Sequence, residues 1–331
     1  MDNHKRKKKV LLMGKSGSGK SSMRAIIFSN YVAKDVRRLG ATIDVEHSHA
    51  RFMGSLTLNL WDCGGQDAFM DSYLSTQRSS VFTDVSALIY VFDIESRDPT
   101  TDLETYNNII RALKSQSPTA LIFCLIHKMD LVQNEHRERI YDERCAAIVK
   151  KSEGMDLETF ASSIWDQTLY KAWAGIVHRM IPNLVVIERF LLAFAKQIYA
   201  EEIVLFERST FLTVTHVSVI RDSNESSETQ TGDVRPEYTT LPAPDRHERI
   251  SSIMKSYKHT CTRHSRTSAS AAGAFVLFKA QTPSFNSFLA RFTENTYICV
   301  VIPPGEAAFN CAVLNTMIAK DAFLTRTGVE T

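Results

Sequence analysis

Long apolar runs, paired cysteines and an excess of one charge are all missing from this 331-residue chain. No apolar segment approaches the roughly 18 residues of a membrane span, so we expect no direct membrane insertion. Lys and Arg number 39 against 37 Asp and Glu, a net charge of +2 that predicts no nucleic-acid partner. The dense basic run at residues 5–9 fits either a localisation or lipid-headgroup signal or a solvated lead-in to the first strand, and we favour the lead-in.

The cysteines and the chain ends carry no signal for export or lipidation. Six cysteines are scattered without a C-x-x-C pair, and no signal peptide is recognised. We therefore expect free thiols in a reducing compartment, the cytoplasm. Asp2 excludes N-myristoylation, and the final Gly-Val-Glu-Thr is no prenylation box. Any residence at a membrane is therefore expected to come through a partner.

A phosphate-binding loop is the strongest motif present. Residues 14–21 read GKSGSGKS and match G-x-x-x-x-G-K-[ST], between a strand-like run and a helix-forming run. In such a loop, backbone N–H groups and a helix N-terminus hold a polyphosphate. Lys20 would reach the outer phosphates, and the Ser21 hydroxyl would ligate Mg²⁺. The residues predicted to bind the nucleotide here are Ser16, Gly17, Ser18, Gly19, Lys20, Ser21 and Ser22.

Two further segments fit a phosphate-sensing switch. Asp62 ends a strand and is placed to hold Mg²⁺ through water, while the Gly65 N–H is placed to sense a γ-phosphate. Gln66 is then the candidate catalytic residue, because it would orient the attacking water. Thr42 precedes the second strand, and its hydroxyl would complete the Mg²⁺ shell only in the triphosphate state.

A guanine-reading loop is predicted at His127-Lys128-Met129-Asp130. The Asp130 carboxylate can accept from the ring N–H and the exocyclic amine of guanine, a donor pair that adenine lacks. Lys128 would lie along the loop. Most GTPases carry Asn where this chain has His127, and taken alone the motif fits a surface loop about as well. Ser163 and Ile164 are predicted to offer a backbone N–H to the guanine carbonyl.

The order of strand-like and helix-like segments predicts a mostly parallel α/β sheet up to residue 183. The predicted strands are 8–13, 45–53, 55–61, 86–92, 120–126 and 159–163, with 45–53 and 55–61 as an antiparallel hairpin. The predicted helices are 20–29, 68–79, 101–115, 134–150 and 167–180.

Residues 184–331 read as a smaller α+β domain. Its predicted helices are 184–198, 247–258 and 306–320, and its predicted strands are 203–206, 211–214, 275–278 and 297–301. The first and last helices each carry an apolar face, which periodicity alone assigns to core more readily than to an interface. A Ser/Thr/Glu/Pro-rich stretch, 220–246, is predicted to be a disordered loop.

Taken together, these motifs resemble the Ras-like GTPases, and within them the Rag GTPases of the A/B type. His127 is itself a feature of that type. The similar segments are residues 14–21, 39–49, 60–67, 124–132, 163–166 and 204–208. The resemblance is dense from residue 8 to 215 and thin beyond.

The resemblance implies a Ras-like P-loop G domain followed by a roadblock-like dimerisation domain, with GTP, GDP and Mg²⁺ as ligands. It also implies a heterodimer with a Rag of the C/D type. Further implied partners are a lipidated scaffold at the lysosomal or vacuolar surface, a GTPase-activating complex and the target-of-rapamycin kinase complex. The chain would thus be cytoplasmic, peripheral on that membrane, and would relay amino-acid sufficiency.

Two other functions fit parts of the sequence. The first is a nucleotide-holding scaffold that never hydrolyses GTP, with Gln66 idle. The second, an ATP-dependent kinase of small molecules, is disfavoured by Asp130 and by the lack of an arginine-rich lid. Ser16 stands where Ras-like enzymes usually carry a glycine whose substitution hinders hydrolysis, so we expect slow intrinsic turnover and an external activator.

Overall fold

Two compact units make up the chain, residues Met1–Ile176 and Val177–Thr331. The computed structural model describes residues 7–29, 31–38, 46–51, 57–63, 67–181, 183–219, 246–264 and 276–328. The predicted disordered loop lies outside the described residues as far as residue 245, and Arg246 already begins a helix. None of the helices within these ranges is long and apolar enough to cross a membrane.

A six-stranded sheet forms the centre of the first unit. Its strands are β1 (Lys7–Met13), β2 (Glu46–Arg51), β3 (Thr57–Asp62), β4 (Val85–Asp93), β5 (Leu121–His127) and β6 (Leu157–Ser162). They lie in the order β2-β3-β1-β4-β5-β6. Only β2 and β3 pair antiparallel, while the other neighbours are parallel. The predicted sheet and its one antiparallel pair are therefore confirmed, with small shifts at the strand ends.

Both faces of this sheet are covered. Consecutive residues of β1 and β4 are fully buried, as expected when side chains on both faces pack against helices. The helices are α1 (Lys20–Phe28), α2 (Asp67–Leu74), α3 (Arg78–Phe82), α4 (Pro99–Gln116), α5 (Asn134–Lys151) and α6 (Thr168–Met180).

One predicted helix, 68–79, is in fact two, α2 and α3. The Ser75 hydroxyl donates to the Asp71 carbonyl at 2.6 Å, and the Thr76 hydroxyl donates to the Ser72 carbonyl at 3.3 Å. Such side-chain bonds compete with the helical backbone pattern. The turn at residues 75–77 therefore separates the two helices.

The second unit is a five-stranded antiparallel sheet with helices. Its elements are α7 (Leu184–Gln197), β7 (Glu202–Glu207), β8 (Thr213–Ser218), α8 (Arg246–His264), β9 (Leu277–Gln281), β10 (Asn286–Arg291), β11 (Thr296–Ile302) and α9 (Glu306–Thr327). The strand order is β8-β7-β11-β10-β9. This smaller α+β sheet agrees with the predicted roadblock-like class.

In this unit one strand was missed and another was predicted to begin too early. Strand β10 was missed because its apolar core of three residues is short and begins at Asn286, a buried polar residue whose amide donates to the Gly305 carbonyl at 3.2 Å. The strand predicted at 211–214 begins only at Thr213. Phe211 has φ +54° and belongs to a turn. In this turn, the N–H and hydroxyl groups of Ser209 and Thr210 donate to the buried Glu207 carboxylate.

The predicted apolar faces of α7 and α9 are buried to different extents. On α7, Ile187, Leu191 and Phe194 are buried, so that face is core. On α9, Phe309 is buried, but Met317, which the apolar spacing of the sequence puts near the same face, is 53% exposed. The buried stripe of α9 instead includes Ala312, Thr316 and Phe323, because the face turns gradually around a 22-residue helix.

Candidate functional site

The loop between β1 and α1 has the backbone of a phosphate cradle. Gly14, Gly17 and Gly19 all have positive φ, at 140°, 79° and 97°. A Cβ at Gly14 would lie 2.3 Å from the Val91 carbonyl oxygen, so only glycine fits there. Gly19 is the N-cap of α1, and no described side chain caps this helix end. The first N–H groups of α1 therefore suit an anionic ligand.

Lys20 and Ser18 line the same loop. Lys20 is buried, and its Nζ donates to the carbonyls of Gly14 at 2.7 Å and Lys15 at 3.0 Å. Ser18 Oγ is buried without a hydrogen-bond partner among the residues that the structure describes. A buried hydroxyl of this kind suits a ligand rich in oxygen. Of the other predicted residues, Ser16 and Gly17 are exposed, and Ser21 and Ser22 are half-buried in the first turn of α1.

Lys128 fixes the predicted base-reading loop to the neighbouring strand. Its backbone is left-handed, with φ +64°, and its Nζ lies 2.5 Å from Asp93 Oδ2 at the end of β4. Because β4 and β5 are parallel, both ends lie at the same edge of the sheet. The loop is thus held in shape by an ion pair that the sequence did not point to.

Ser163 orients the predicted base-reading carboxylate. Its hydroxyl donates to Asp130 Oδ1 at 2.5 Å and accepts from the Trp165 N–H at 3.1 Å. The Ser163 N–H donates to Thr168 Oγ1 at 2.9 Å. Of the two predicted backbone donors to guanine, we therefore retain Ile164, which lies half-buried in the following turn.

His127 brings the two loops into contact. Its ring is 2% exposed, and Nδ1 lies 2.9 Å from Ser162 Oγ. A Cβ at Gly19 would lie 2.8 Å from His127 Cδ2 and 2.9 Å from Nε2. Burial lowers the pKa of His127 to about 4, and the positive charge of Lys128 adds to this shift. The ring is therefore neutral at pH 7.

The buried neutral His127 predicts that the first unit loses stability in mild acid. Its pKa falls from 6.5 to about 4 on folding, so the unfolded chain binds the extra proton between these values. Between pH 6.5 and about 4, we expect the free energy of unfolding to fall by about 1 kcal/mol more per pH unit in wild type than in His127→Asn. Trp61, Trp165 and Trp173 are the chain's only tryptophans and all lie in this unit, so fluorescence-detected urea unfolding measures it. Parallel losses in both proteins would contradict the assignment.

The predicted switch residues are only partly described. Thr42, Gly65 and Gln66 lie outside the described residues. Asp62 is the last residue of β3, in register with Leu12, but its side chain is not described.

The side-chain contacts of Asp93 and Ser162 at the site were not predicted from the sequence, although Ser162 belongs to the segment 162–164 that was predicted to lie near the guanine carbonyl. Each is a polar residue at the carboxyl end of a parallel strand, as Asp130 and Ser163 follow such ends. Ligands bind at the carboxyl ends of strands in open α/β sheets, so this position marks both residues as candidates for the site.

Comparisons with known proteins agree with the motifs. The family model "Gtr1/RagA G protein conserved region" matches residues 9–254. The chain is 48% identical over 316 residues to GTP-binding protein gtr1 of Schizosaccharomyces pombe, covering 95% of this chain and 94% of that protein. It is 45% identical over 317 residues to Ras-related GTP-binding protein A of Dictyostelium discoideum, covering 96% and 97%. A weaker similarity, 25% over 209 residues, links it to Ras-related GTP-binding protein C of Homo sapiens, covering 61% and 51%.

Proposed function

Because the chain belongs to the Gtr1/RagA family of G proteins, we propose that it is a guanine-nucleotide switch that binds GTP and GDP and slowly hydrolyses GTP. The observation that carries this proposal is the contact between the phosphate loop and the base loop at His127 and Gly19. The parallel pairing of β1, β4 and β5 supports the proposal as well, because the loops that follow β1 and β5 then lie along the same edge of the sheet.

In the proposed mechanism each predicted site residue has a task. The first N–H groups of α1 and the Lys20 ammonium bind the β- and γ-phosphates, and Lys20 exchanges its bonds to Gly14 and Lys15 for them. Asp130, oriented by Ser163, accepts from guanine. Gln66 orients the water that attacks the γ-phosphate. Ser16 in place of a glycine keeps the intrinsic rate low, so an activating protein would supply about 10³–10⁵ in rate.

Magnesium fits the proposed ligand set. Ser21 lies in the first turn of α1 next to Lys20, and hydroxyl and carboxylate oxygens from Ser21, Thr42 and Asp62 are ligands that Mg²⁺ prefers. When bound, Mg²⁺ offsets the negative charge that develops on the phosphate oxygens.

Nucleotide competition tests the proposed switch directly. Purified chain is loaded with fluorescent GDP and challenged with GTP, GDP or ATP, with and without Mg²⁺. We expect displacement by both guanine nucleotides and none by ATP at the same concentrations, because adenine would leave the Asp130 carboxylate unpaired. Displacement by ATP, or no nucleotide binding at all, would overturn the proposal.

Gln66→Leu is expected to trap the GTP state. Leucine cannot orient water, so the variant should lose the acceleration by an activating complex, about 10³-fold or more. Single-turnover hydrolysis of γ-labelled GTP, with and without an activator, measures this. Gln133→Leu, at an exposed residue, is the control that should respond as wild type. Equal rates for wild type and Gln66→Leu under every condition would favour the non-hydrolysing scaffold.

Ser21→Asn is expected to weaken GTP binding more than GDP binding. The change replaces the hydroxyl proposed to ligate Mg²⁺, and the triphosphate depends more on that ion. We expect the ratio of GTP to GDP affinity to fall about tenfold or more in the presence of Mg²⁺. Titrations repeated in EDTA should remove the difference, and Ser29→Asn, at the C-cap of α1, is the comparison variant. An equal loss for both nucleotides argues against the role.

We further propose that residues 184–331 are a dimerisation domain, after a GTP-binding domain at residues 1–183. The chemistry that supports this lies on α8 and β9. Ile253 and Tyr257, one turn apart on α8, are 65% and 45% exposed. Strand β9 is an edge of the sheet, and along one side it has no partner strand among the residues that the structure describes. A second antiparallel sheet of the same class can pair with such an edge.

The partner proposed for this surface is a Rag GTPase of the C/D type. The similarity to a Ras-related GTP-binding protein C supports a shared fold for such a pair. The heterodimer would be carried to the lysosomal or vacuolar surface by a scaffold and would relay amino-acid sufficiency to the target-of-rapamycin complex. Co-expression with a C/D-type chain followed by light scattering tests the first step. A 1:1 complex that Ile253→Asp with Tyr257→Asp abolishes supports it, and monomers throughout would overturn it.

A further inference from the structure

We propose that Ser162 is a positioning residue for guanine binding: its hydroxyl donates to His127 Nδ1 and holds the ring in the tautomer that carries its proton on Nε2. This inference rests on the proposed guanine-binding function. It adds a hydrogen-bond donor, the His127 Nε2–H, to the acceptor that the Asp130 carboxylate provides. It makes His127 a reader of the purine edge opposite to the one that Asp130 reads.

The geometry of the sheet places the two side chains together. Ser162 is the last residue of β6, and His127 is the last residue of β5. The two are direct partners in the parallel register of these strands. Their side chains therefore leave the sheet on the same side, and Nδ1 and Oγ lie 2.9 Å apart.

Hydrogen-bond accounting decides which group donates. Ser162 is fully buried, and within the described ranges His127 is the only partner of its hydroxyl. If Nδ1 carried the proton, Ser162 would accept and its own buried O–H would lack an acceptor. If Ser162 donates, both groups are satisfied. The ring has one proton at neutral pH, because burial lowers the pKa of His127 to about 4. That proton is then on Nε2.

The Nε2 edge lies against the phosphate loop. The position that a Cβ of Gly19 would take is 2.9 Å from Nε2, beside the N-cap of α1. Guanine presents two acceptors, N7 and O6, on the edge opposite to its N1–H and amine donors. A donor at Nε2 thus complements the acceptor at Asp130, and the two loops together match both edges of guanine.

Histidine nitrogen NMR tests the tautomer without any nucleotide. Long-range ¹H–¹⁵N spectra of ¹⁵N-histidine-labelled protein give distinct Nδ1 and Nε2 shifts for each tautomer, and His127→Asn identifies the signal among ten histidines. We expect wild type and Ser162→Thr to hold the Nε2–H tautomer and Ser162→Ala to populate both. Ser163→Ala, which alters the Asp130 contact instead, should leave the tautomer as in wild type. A wild-type ring protonated on Nδ1 overturns the proposal.

An atom-level probe tests the consequence for binding. In 7-deaza-GDP, a C–H group replaces the acceptor N7. We expect wild type to bind it about tenfold more weakly than GDP, and Ser162→Ala to reduce this ratio to about threefold or less. Ser163→Ala should weaken both ligands and keep the wild-type ratio. If Ser162→Ala fails to fold, the proposal is still tested by the wild-type tautomer and by the ratio of wild-type affinities for GDP and 7-deaza-GDP.

The outcomes separate this inference from the proposed function. Protein that binds GDP in preference to ATP but discriminates against 7-deaza-GDP by less than twofold overturns this inference alone. Protein that binds neither GDP nor GTP overturns the proposed function and this inference with it.

Discussion

Replacing Asp130 with asparagine is expected to lower the affinity for GDP by about 10² to 10⁴. A carboxylate that accepts two hydrogen bonds from guanine loses its charge in this change, and bonds to charged groups contribute about 1.5–3 kcal/mol each. Asparagine also turns an amide donor toward the guanine amine. Ser163 can still donate to the remaining oxygen, so the loop itself should keep its shape. Displacement of fluorescent GDP measures the loss.

Xanthine nucleotide makes this prediction specific. Xanthosine diphosphate has a carbonyl acceptor where guanine has its amine, so Asp130→Asn should gain affinity for it while losing GDP. Asp166→Asn is the matched control, since this exposed carboxylate caps Thr168 at the start of α6 and lies outside the proposed base contact. GDP affinity within threefold of wild type in Asp130→Asn would contradict the assignment of this loop.

Alanine at Gly14 is expected to destabilise the first unit by about 3–5 kcal/mol and to abolish nucleotide binding. Its Cβ would lie 2.3 Å from the Val91 carbonyl oxygen on β4. Backbone atoms in a packed sheet cannot move away as a side chain can, and overpacking of this kind costs about 1–3 kcal/mol. The φ of +140° adds about 1–3 kcal/mol of strain for any residue with a Cβ.

Gly17→Ala distinguishes the cost of backbone strain from the cost of a steric clash. Gly17 also has positive φ, +79°, but nothing lies within 4 Å of the position that a Cβ would take there. This control should therefore cost only about 1–2 kcal/mol. Urea unfolding followed by the fluorescence of Trp61, Trp165 and Trp173 measures both variants on this unit. Equal losses in the two variants would show that the contact with Val91 is not what requires glycine at residue 14.

The sequence predicted the local chemistry well because glycine and strand patterns are local signals. Residues 14–21 indicated a loop between a strand and a helix, and the left-handed glycines confirm that backbone. The central strands were equally clear, since fully buried strands such as β4 and β5 are continuous apolar runs.

What the sequence did not predict depends on register between distant strands. Ser162 and Asp93 acquire their roles only when β6 and β4 lie on either side of β5. Their position at strand ends marks them as candidates, but only the order of the strands shows which side chain each of them meets. Strand β10 was missed for a related reason. Asparagine is typical of loops, and the bond from the Asn286 amide to the Gly305 carbonyl, which satisfies it inside the fold, depends on a distant part of the chain.

The contact of His127 with Gly19 also limits how such proteins can be recombined. A phosphate loop grafted from another G protein fits this chain only if it brings no side chain at residue 19, because a Cβ there meets the imidazole. A base loop grafted in from elsewhere must in turn fill the space of that imidazole, or the phosphate loop loses its support. Chimeras that bring a side chain to residue 19, or that leave the space of the imidazole empty, should therefore fold poorly, while those that keep glycine and imidazole in contact should remain intact.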